Sequence, residues 1–357
     1  MTAFSVCMIV KNEEEVLERC LQCITSFADE IIIVDTGSTD KTKEIASKYT
    51  HHIYDFPWCN DFSKARNFSF SKASKDFIMW LDADDVILKE DQQKLCELKK
   101  RISDTVSMVM MKYHTAFDKE GNPTFTFYRE RLLNRKMNHQ WNGAVHEAIT
   151  PAGIIVYEDI SIMHKKTKVS DPNRNLAIYE ALIQQKKSLD PREQHYYGRE
   201  LYDHGEYHKA IRIFEAYLKE GKGWKENQIE ACLLAGNCFM ALEKREKGII
   251  AYLKSFIYDE PRAEICCAIG DYFIHQSRWE EATFWYNLAL QTPMKEERGG
   301  FIRKECYGYL PAIQLCVCYY WLHDIEKAIQ YNEKAAVYNP SSEAVLYNRV
   351  FFGNLSD

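Results

Sequence analysis

The chain has 357 residues, of which 46% are hydrophobic and 27% charged, a composition typical of a globular protein with more than one core. Its 46 basic and 52 acidic residues give a net charge of −6, so neither nucleic acid nor an anionic membrane is expected as a partner. No stretch approaches the roughly 18 consecutive apolar residues of a membrane helix, so we expect no integral membrane segment.

The N-terminal sequence MTAFSVCMIVKNEEE has no basic leader, and its apolar run stops at Val10. It therefore predicts a strand that enters the fold at once, no signal peptide and a cytoplasmic location. The 12 cysteines are scattered, and most lie in apolar helical surroundings: Cys232, Cys238, Cys266, Cys267, Cys316 and Cys318. In a cytoplasmic chain such cysteines behave as small buried hydrophobic residues. Cys20 and Cys23 form a CxxC, but no second pair follows that would complete a zinc site.

Up to about residue 165, strand-like and helix-like segments alternate. The runs FSVCMIV (4–10) and EIIIVD (30–35) are rich in β-branched residues, as buried parallel strands are, and Val16, Leu17, Cys20 and Ile24 between them follow helical spacing. The pattern continues with a helix over 40–49, a strand over 51–55, a helix over 62–74 and a strand over 76–81. This alternation predicts an open, mostly parallel sheet with helices on both faces, ending in a meander that begins at 105–114.

From about residue 172 the pattern changes to helices in which small residues and aromatic residues recur. Small residues open four copies at Gly198, Gly236, Gly270 and Cys316, and another small residue follows twelve positions later in each. The offset from Gly236 to Gly270 is 34, the tetratricopeptide period, while the other two offsets are 38 and 46. We therefore divide the chain into an α/β domain over 1–170 and a tetratricopeptide-like repeat domain over 171–357. A generic helical bundle is the alternative.

The acidic sequence Trp80-Leu81-Asp82-Ala83-Asp84-Asp85 directly follows a predicted buried strand. Three carboxylates at the end of such a strand repel one another, and desolvation increases the repulsion. A hard divalent cation that also bridges phosphate oxygens would make the cluster favourable. Open α/β sheets bind ligands at this edge, so we interpret the cluster as functional rather than as an ordinary acidic loop.

Two further segments carry polar groups suited to a nucleotide. In VDTGSTDKT, Asp35 ends the second strand before a glycine turn, where it can hydrogen-bond a nucleoside base or ribose. The alternative is an ordinary helix-capping turn that uses Ser38, Thr39 or Asp40. In DFSKARN, Arg66 lies on a helix and is either a surface cation or a bidentate partner of phosphate.

Taken together, VCMIVKNEE, VDTGSTDKT, ARN and LDADD resemble glycosyltransferase family 2, the inverting enzymes of the GT-A fold, over residues 3–100. The resemblance implies a UDP-sugar donor and Mn²⁺ or Mg²⁺ as cofactor. It implies that Asp35 contacts uracil or ribose, that Arg66 lies near the base or diphosphate, and that Asp84 binds the metal directly. The nucleotide-sugar-binding residues it implies are Val10, Lys11, Asn12, Glu13, Asp35, Gly37, Ser38, Arg66, Asp82 and Ala83.

The later segment Trp141-Asn142-Gly143-Ala144-Val145-His146-Glu147 resembles a narrower subgroup in which this domain precedes tetratricopeptide-like repeats. That subgroup includes the sublancin-type peptide S-glycosyltransferases of glycosylated bacteriocins. An inverting transfer needs a base for the acceptor's proton. Glu147 is the candidate base and His164 the candidate further metal ligand, with His146 as the competitor for either role.

The repeats favour a peptide or protein acceptor, with Cys, Ser or Thr as the nucleophile, over a saccharide or a lipid-linked precursor. They could equally form a homodimer. Two other classes stay open: a non-catalytic repeat adaptor with a vestigial nucleotide domain, and a nucleotidyltransferase. Against the second, VKNEEE is acidic and lacks the glycine-rich phosphate loop that such enzymes place after the first strand.

Overall fold

In a computed structural model, which describes residues 2–118, 121–167, 171–185, 188–295 and 298–355, the chain forms two compact units, Met1–Lys187 and Ser188–Asp357. A helix over Arg174–Gln184, which the sequence-based boundary at 170/171 placed with the repeats, lies in the first unit. None of the helices in the described ranges combines the length and the apolar composition needed to cross a bilayer.

The first unit is an α/β domain. Its strands are β1 (Phe4–Val10), β2 (Glu30–Asp35), β3 (Ile53–Asp55), β4 (Phe77–Trp80), β5 (Asp85–Val86), β6 (Val106–Phe117), β7 (Pro123–Asn134), β8 (Trp141–Asn142), β9 (Ala148–Ile149) and β10 (Ile154–His164). Its helices are α1 (Leu17–Ile24), α2 (Thr42–Ser47), α3 (Phe62–Ser71), α4 (Lys89–Arg101) and α5 (Arg174–Gln184).

Eight of the described strands form one mixed sheet in the order β3-β2-β1-β4-β7-β6-β10-β5. The first four are parallel, as the alternation of apolar segments predicts. β7 runs antiparallel to both β4 and β6, and the β6–β7 pair agrees with the start of the expected meander. β10 then pairs parallel with β6, so the sheet does not end as a simple meander. The remaining strands, β8 and β9, form a small separate hairpin.

Both faces of the sheet are buried, which explains the continuous apolar strands. Along β1, Phe4, Val6, Met8 and Val10 join a core with α1, α2 and α4, while Cys7 joins a second core with α3 and the β8–β9 hairpin. Successive side chains of a strand point to opposite faces, so burial on both sides removes the polar alternation expected of a half-exposed strand.

The second unit is an array of tetratricopeptide-like helical hairpins. Its helices are α6 (Pro191–Asp203), α7 (Tyr207–Glu220), α8 (Lys225–Ala241), α9 (Arg245–Lys254), α10 (Ala263–Ile274), α11 (Trp279–Gln291), α12 (Tyr309–Trp321), α13 (Ile325–Tyr338) and α14 (Glu343–Gly353). The six cysteines predicted to be buried here are buried: Cys232, Cys238, Cys266, Cys267, Cys316 and Cys318.

A glycine of the first helix meets an aromatic ring of the second helix in three successive hairpins. A Cβ at Gly198, Gly236 or Gly270 would lie 2.5, 2.1 or 2.7 Å from a ring atom of Phe214, Tyr252 or Tyr286, respectively. Each aromatic residue follows its glycine by the same interval, so the packing repeats with the sequence. This register distinguishes a repeat array from a generic bundle and explains why small residues open the copies.

Candidate functional site

Asp82 and Asp84 lie in the turn after the carboxyl end of β4, and Asp85 begins β5. β1, β2 and β4 are parallel, so their carboxyl ends meet at one edge of the sheet. Burial increases steeply along the turn, because the side chains of Asp82, Asp84 and Asp85 are 29%, 19% and 0% exposed. The three carboxylates therefore face different environments although they are adjacent in sequence.

Asp85 is the structural anchor of this turn, a role that the sequence did not reveal. Its Oδ2 accepts hydrogen bonds from Arg131 Nη1 and from the backbone N–H of Asp82, both at 3.0 Å. Its Oδ1 accepts one from the hydroxyl of Tyr113 at 3.0 Å. Both oxygens are thus held by protein donors. Arg131 and Tyr113 come from β7 and β6, and only the folded sheet brings them to the acid.

His164, the candidate metal ligand, lies beside two of the acids. It ends β10, where it pairs with Asp85 across the antiparallel β5–β10 ladder. Its Nδ1 is 3.2 Å from Asp84 Oδ1 and 3.3 Å from Asp85 Oδ1. Burial alone would lower the pKa of His164, but the two carboxylates outweigh it and raise the pKa to about 10. The imidazole thus takes up positive charge between Asp84 and Asp85.

Arg66 bridges two of the predicted site residues, Asp82 and Glu147. It lies on α3, whose N-terminus is capped by Asp61. Its Nε is 2.6 Å from Glu147 Oε1, and its Nη2 is 2.8 Å from Asp82 Oδ1. Burial works against the charged form of Asp82, but Arg66 and then Arg131 lower the pKa of this carboxyl to about 2. Asp82 is therefore ionised throughout the physiological range.

Two tryptophans fix the guanidinium of Arg66. Its Cζ lies 4.9 Å from the ring centroid of Trp80 and 5.0 Å from that of Trp141. Trp141 is 2% exposed and belongs to the core. A planar cation beside aromatic rings gains cation–π attraction while its N–H groups remain available to carboxylates.

Glu147 and His146 lie on the turn of the β8–β9 hairpin, which is tied to α3. The amide of Asn67 accepts from the backbone N–H of Trp141 at 2.8 Å and donates to its carbonyl at 3.0 Å. His146 has a φ of +52° and an exposed side chain, whereas Glu147 is partly buried. Helix α3 therefore positions the candidate base twice, through Asn67 and through Arg66.

The loops after β1 and β2 form a second polar group of residues, around Asp35. Val10 and Asp35 pair in the parallel ladder, so the two loops start side by side. Asp35 Oδ1 accepts from the backbone N–H groups of Gly37 and Ser38, both at 2.9 Å, and Gly37 has the positive φ of +108° that this turn requires. Asp35 is 1% exposed, and its Oδ2 has no hydrogen-bond partner in the described part of the chain.

Further contacts join the two loops. Ser38 Oγ accepts from the backbone N–H of Asn12 at 2.9 Å, and Asn12 Oδ1 accepts from that of Thr39 at 2.7 Å. The N–H of Glu13 donates to Thr42 Oγ1 at 2.7 Å. The structure therefore brings together Val10, Asn12, Glu13, Asp35, Gly37 and Ser38. Since β1 lies between β2 and β4, this group is about 10 Å from the acidic turn that contains Ala83.

The acidic turn offers ligands suited to a divalent cation. Asp82, Asp85 and His164 each supply one ligand atom within 4.8 Å of the others. Both oxygens of Asp85 are already held by protein donors, and Asp84, which is not one of these three residues, lies 3.2 Å from His164 Nδ1. Four carboxylates (Asp82, Asp84, Asp85 and Glu147) face two guanidiniums (Arg66 and Arg131), which leaves two negative charges, one of them offset by protonated His164. A divalent cation that displaced the proton from His164 would balance both charges.

Comparisons with known proteins agree with this architecture. Residues 5–160 match the family model for Glycosyl transferase family 2, so the first unit carries a domain of this family. The chain is 26% identical over 290 residues to the SPbeta prophage-derived glycosyltransferase SunS of Bacillus subtilis, covering 74% of this chain and 64% of SunS. It is 42% identical over 90 residues to a TPR repeat-containing protein of Synechococcus elongatus, covering 25% of this chain and 22% of that protein.

The chain thus spans less than two thirds of the length of these two relatives. Among solved structures, YrrB, a TPR protein, is similar to 50% of this chain over 83% of its own length, with a TM-score of 0.37 and 17% identity.

Proposed function

We propose that this chain, whose first unit carries a family 2 glycosyltransferase domain, is an inverting, metal-dependent glycosyltransferase that moves a hexose from a UDP-sugar to a peptide or protein. The observation that carries the proposal is the acidic turn with His164 at the carboxyl end of β4, at the same sheet edge as the unpaired carboxylate oxygen of Asp35. One group is suited to a metal-bound diphosphate, and the other to a nucleoside.

Asp35 would bind the nucleoside end of the donor. A buried carboxylate oxygen without a partner is costly, so a ligand N–H or O–H that reaches Oδ2 would remove that cost. Uracil and ribose both provide such donors. They belong to every UDP-sugar, so this subsite would not select the hexose that is transferred. Asn12, Ser38 and the backbone of Val10 would form the wall of this subsite.

Asp84 and His164 would hold the cation, Mn²⁺ or Mg²⁺, with Asp82 directed to the nucleotide sugar. When bound, the cation supplies the positive charge that stabilises the departing UDP diphosphate. Arg66 keeps Asp82 ionised, and the two ion pairs Arg66–Asp82 and Arg131–Asp85 hold both carboxylates in place. The acids are therefore positioned before any donor binds.

Glu147 would be the base. Arg66 occupies Oε1 of Glu147, so the acceptor's proton would go to Oε2. The deprotonated nucleophile would attack the anomeric carbon from the face opposite UDP, which inverts the configuration of that carbon. His146 is the competing base. Its exposed side chain could also reach an acceptor, while Glu147 is the side chain that Arg66 orients.

A polypeptide acceptor is supported by the repeat array of the second unit, since such arrays present elongated surfaces to peptides. The nucleophile would be a Cys, Ser or Thr side chain. A saccharide or lipid-linked precursor is the alternative acceptor. The net charge of −6 gives no reason to expect nucleic acid as a partner. We propose that the enzyme acts in the cytoplasm. A homodimer formed through the helical unit is an alternative role for the repeats.

The test is a transfer assay followed by intact-mass spectrometry. The purified chain is incubated with Mn²⁺, a set of UDP-hexoses and a peptide library containing Cys, Ser and Thr. We expect a peptide to gain one hexose mass, and we expect Asp84→Asn to abolish the gain while Asp159→Asn, an exposed acid, leaves it unchanged. UDP binding without transfer to peptides or saccharides would instead indicate a non-catalytic adaptor.

A further inference from the structure

Residues Arg298–Arg303, which lie between α11 and α12, are here named the groove segment. They line the groove formed by the first helices of the repeats. Together with α6, α8 and α10, the groove segment lines an open cavity of about 250 Å³. The apolar side chains that line this cavity include Ile229, Leu233, Leu234, Ile265, Phe301 and Ile302. Charged side chains also line it, among them Glu226, Glu230, Glu264, Arg199 and Arg262.

Both ends of the groove segment are held by acids of the repeats. The backbone N–H of Arg303 donates to Glu264 Oε1 at 2.8 Å. At the other end, the guanidinium of Arg298 lies 3.2 Å from Asp259 Oδ2 and 2.7 Å from Glu260 Oε1. The acids of the repeats thus bind a main-chain N–H at one end of the segment and a basic side chain at the other. A bound peptide in an extended conformation is held by the same two kinds of contact.

The middle of the groove segment contacts the first two hairpins. The ring of Phe301 lies 4.0 Å from the Cζ of Arg199 and 6.1 Å from the ring of His195, both on α6. Gly300 passes so close to α8 that a Cβ would lie 2.9 Å from Glu226 Oε2, and Gly299 has a φ of +71°. The glycine pair therefore allows the chain to approach α8 and to turn Phe301 towards α6.

The groove segment does not fill the space available to it. Phe301 remains 43% exposed, although an aromatic anchor in a tight interface is usually buried. The cavity is lined by isoleucine and leucine side chains together with charged ones, and it has room for a further aliphatic side chain besides Ile302 of the segment. The contacts are thus those of a peptide ligand that leaves a partly apolar subsite unfilled.

We propose that the groove segment is an internal occupant of a peptide-binding groove on α6, α8 and α10. Its external partner would be an extended peptide with glycines before an aromatic residue, flanking basic residues and an aliphatic side chain for the cavity. Such a peptide competes with the segment for Arg199, Glu226 and Glu264. The inference deepens the proposed polypeptide acceptor by naming where it binds, but peptide binding itself requires no sugar transfer.

The experiment measures binding of a labelled peptide, RGGFIR, with the sequence of residues 298–303, to the full chain by fluorescence anisotropy. In Arg298→Ala/Phe301→Ala the groove segment loses its guanidinium and aromatic contacts, so we expect the peptide to bind at least tenfold more tightly than to the wild type. Adding Arg199→Ala should reverse most of that gain. Phe284→Ala removes a 62% exposed aromatic residue outside the cavity lining and is the matched control.

An affinity of the double variant within threefold of the wild type, or a gain that survives Arg199→Ala, would overturn the proposal. If the double variant does not fold, hydrogen exchange on the wild type decides. Saturating peptide should then speed exchange of the Arg303 amide and slow exchange in α6 and α8, whereas an unchanged pattern would contradict the proposal. These readouts involve no donor, so failure of the transferase assignment would leave them interpretable.

Discussion

Arg66 and Glu147 form a partly buried ion pair in which Nε lies 2.6 Å from Oε1, and the same guanidinium reaches Asp82 through Nη2. One residue thus connects the acidic turn after β4 with the hairpin that carries the candidate base. Resemblance to the family implied a place for Arg66 near the base or diphosphate of the donor. The structure adds that two of its N–H groups face protein carboxylates.

We expect Arg66→Ala to lower the free energy of unfolding by about 3 kcal/mol, because it leaves Asp82 and Glu147 without their buried partner. Chemical denaturation at neutral pH measures the change. Arg101→Ala, which removes a 57% exposed side chain, serves as the control and should cost less than about 1 kcal/mol. Equal effects of the two substitutions would show that the ion pairs of Arg66 with Asp82 and Glu147 do not stabilise the fold.

Glu147→Gln should reduce sugar transfer by about 10²-fold or more while UDP affinity stays within about threefold, since a base acts on the acceptor and not on the nucleotide. Steady-state transfer rates and calorimetry provide the two readouts. His146→Ala separates the competing roles and should retain most activity. The assignment of the base would be reversed if His146→Ala were inactive and Glu147→Gln active.

Asp35→Asn should weaken UDP binding about tenfold or more, because the unpaired buried oxygen would lose its charge-assisted hydrogen bond to the nucleoside. The matched control is Asp55→Asn at the end of the neighbouring β3, where the carboxylate is 75% exposed. Calorimetric titration with uridine, which carries no phosphate, restricts the readout to this subsite. Unchanged uridine affinity in Asp35→Asn would exclude Asp35 from nucleoside binding.

Gly236→Ala should destabilise the second unit by about 1–3 kcal/mol, because the new Cβ would lie 2.1 Å from the ring of Tyr252. Gly353→Ala is the matched control, since a Cβ there meets nothing within 4 Å. Thermal unfolding followed by circular dichroism compares the two variants. Equal midpoints would mean that the glycine–aromatic contacts do not fix the hairpin register.

Much of the fold follows from local patterns. The apolar runs at Phe4–Val10 and Glu30–Asp35 predict buried parallel strands, and the structure has them. The prediction succeeds because a strand covered on both sheet faces must be apolar at successive positions. The 34-residue offset between Gly236 and Gly270 predicts repeated hairpins, since small residues must recur wherever aromatic residues pack. Helix ends were less well predicted: α3 ends at Ser71, before the expected 74.

The candidate site was predictable where its residues are close in sequence. LDADD indicates an acidic turn because it follows an apolar strand. The anchoring of Asp85 by Arg131 and Tyr113 could not be predicted, because those residues lie on distant strands and resemble ordinary sheet residues. The same holds for Asn67 and Trp141, whose hydrogen bonds depend on how α3 packs against a hairpin formed much later in the chain.

The central claim is that Asp84 and His164 hold a divalent cation that binds the donor's diphosphate. Calorimetric titration of the wild type and of Asp84→Ala with UDP, in Mn²⁺ and after chelation, tests it most directly. We predict tight UDP binding to the wild type in Mn²⁺ and a loss of at least tenfold after chelation or in the variant. UDP affinity that is the same in all of these conditions, or no binding in any of them, would contradict the claim.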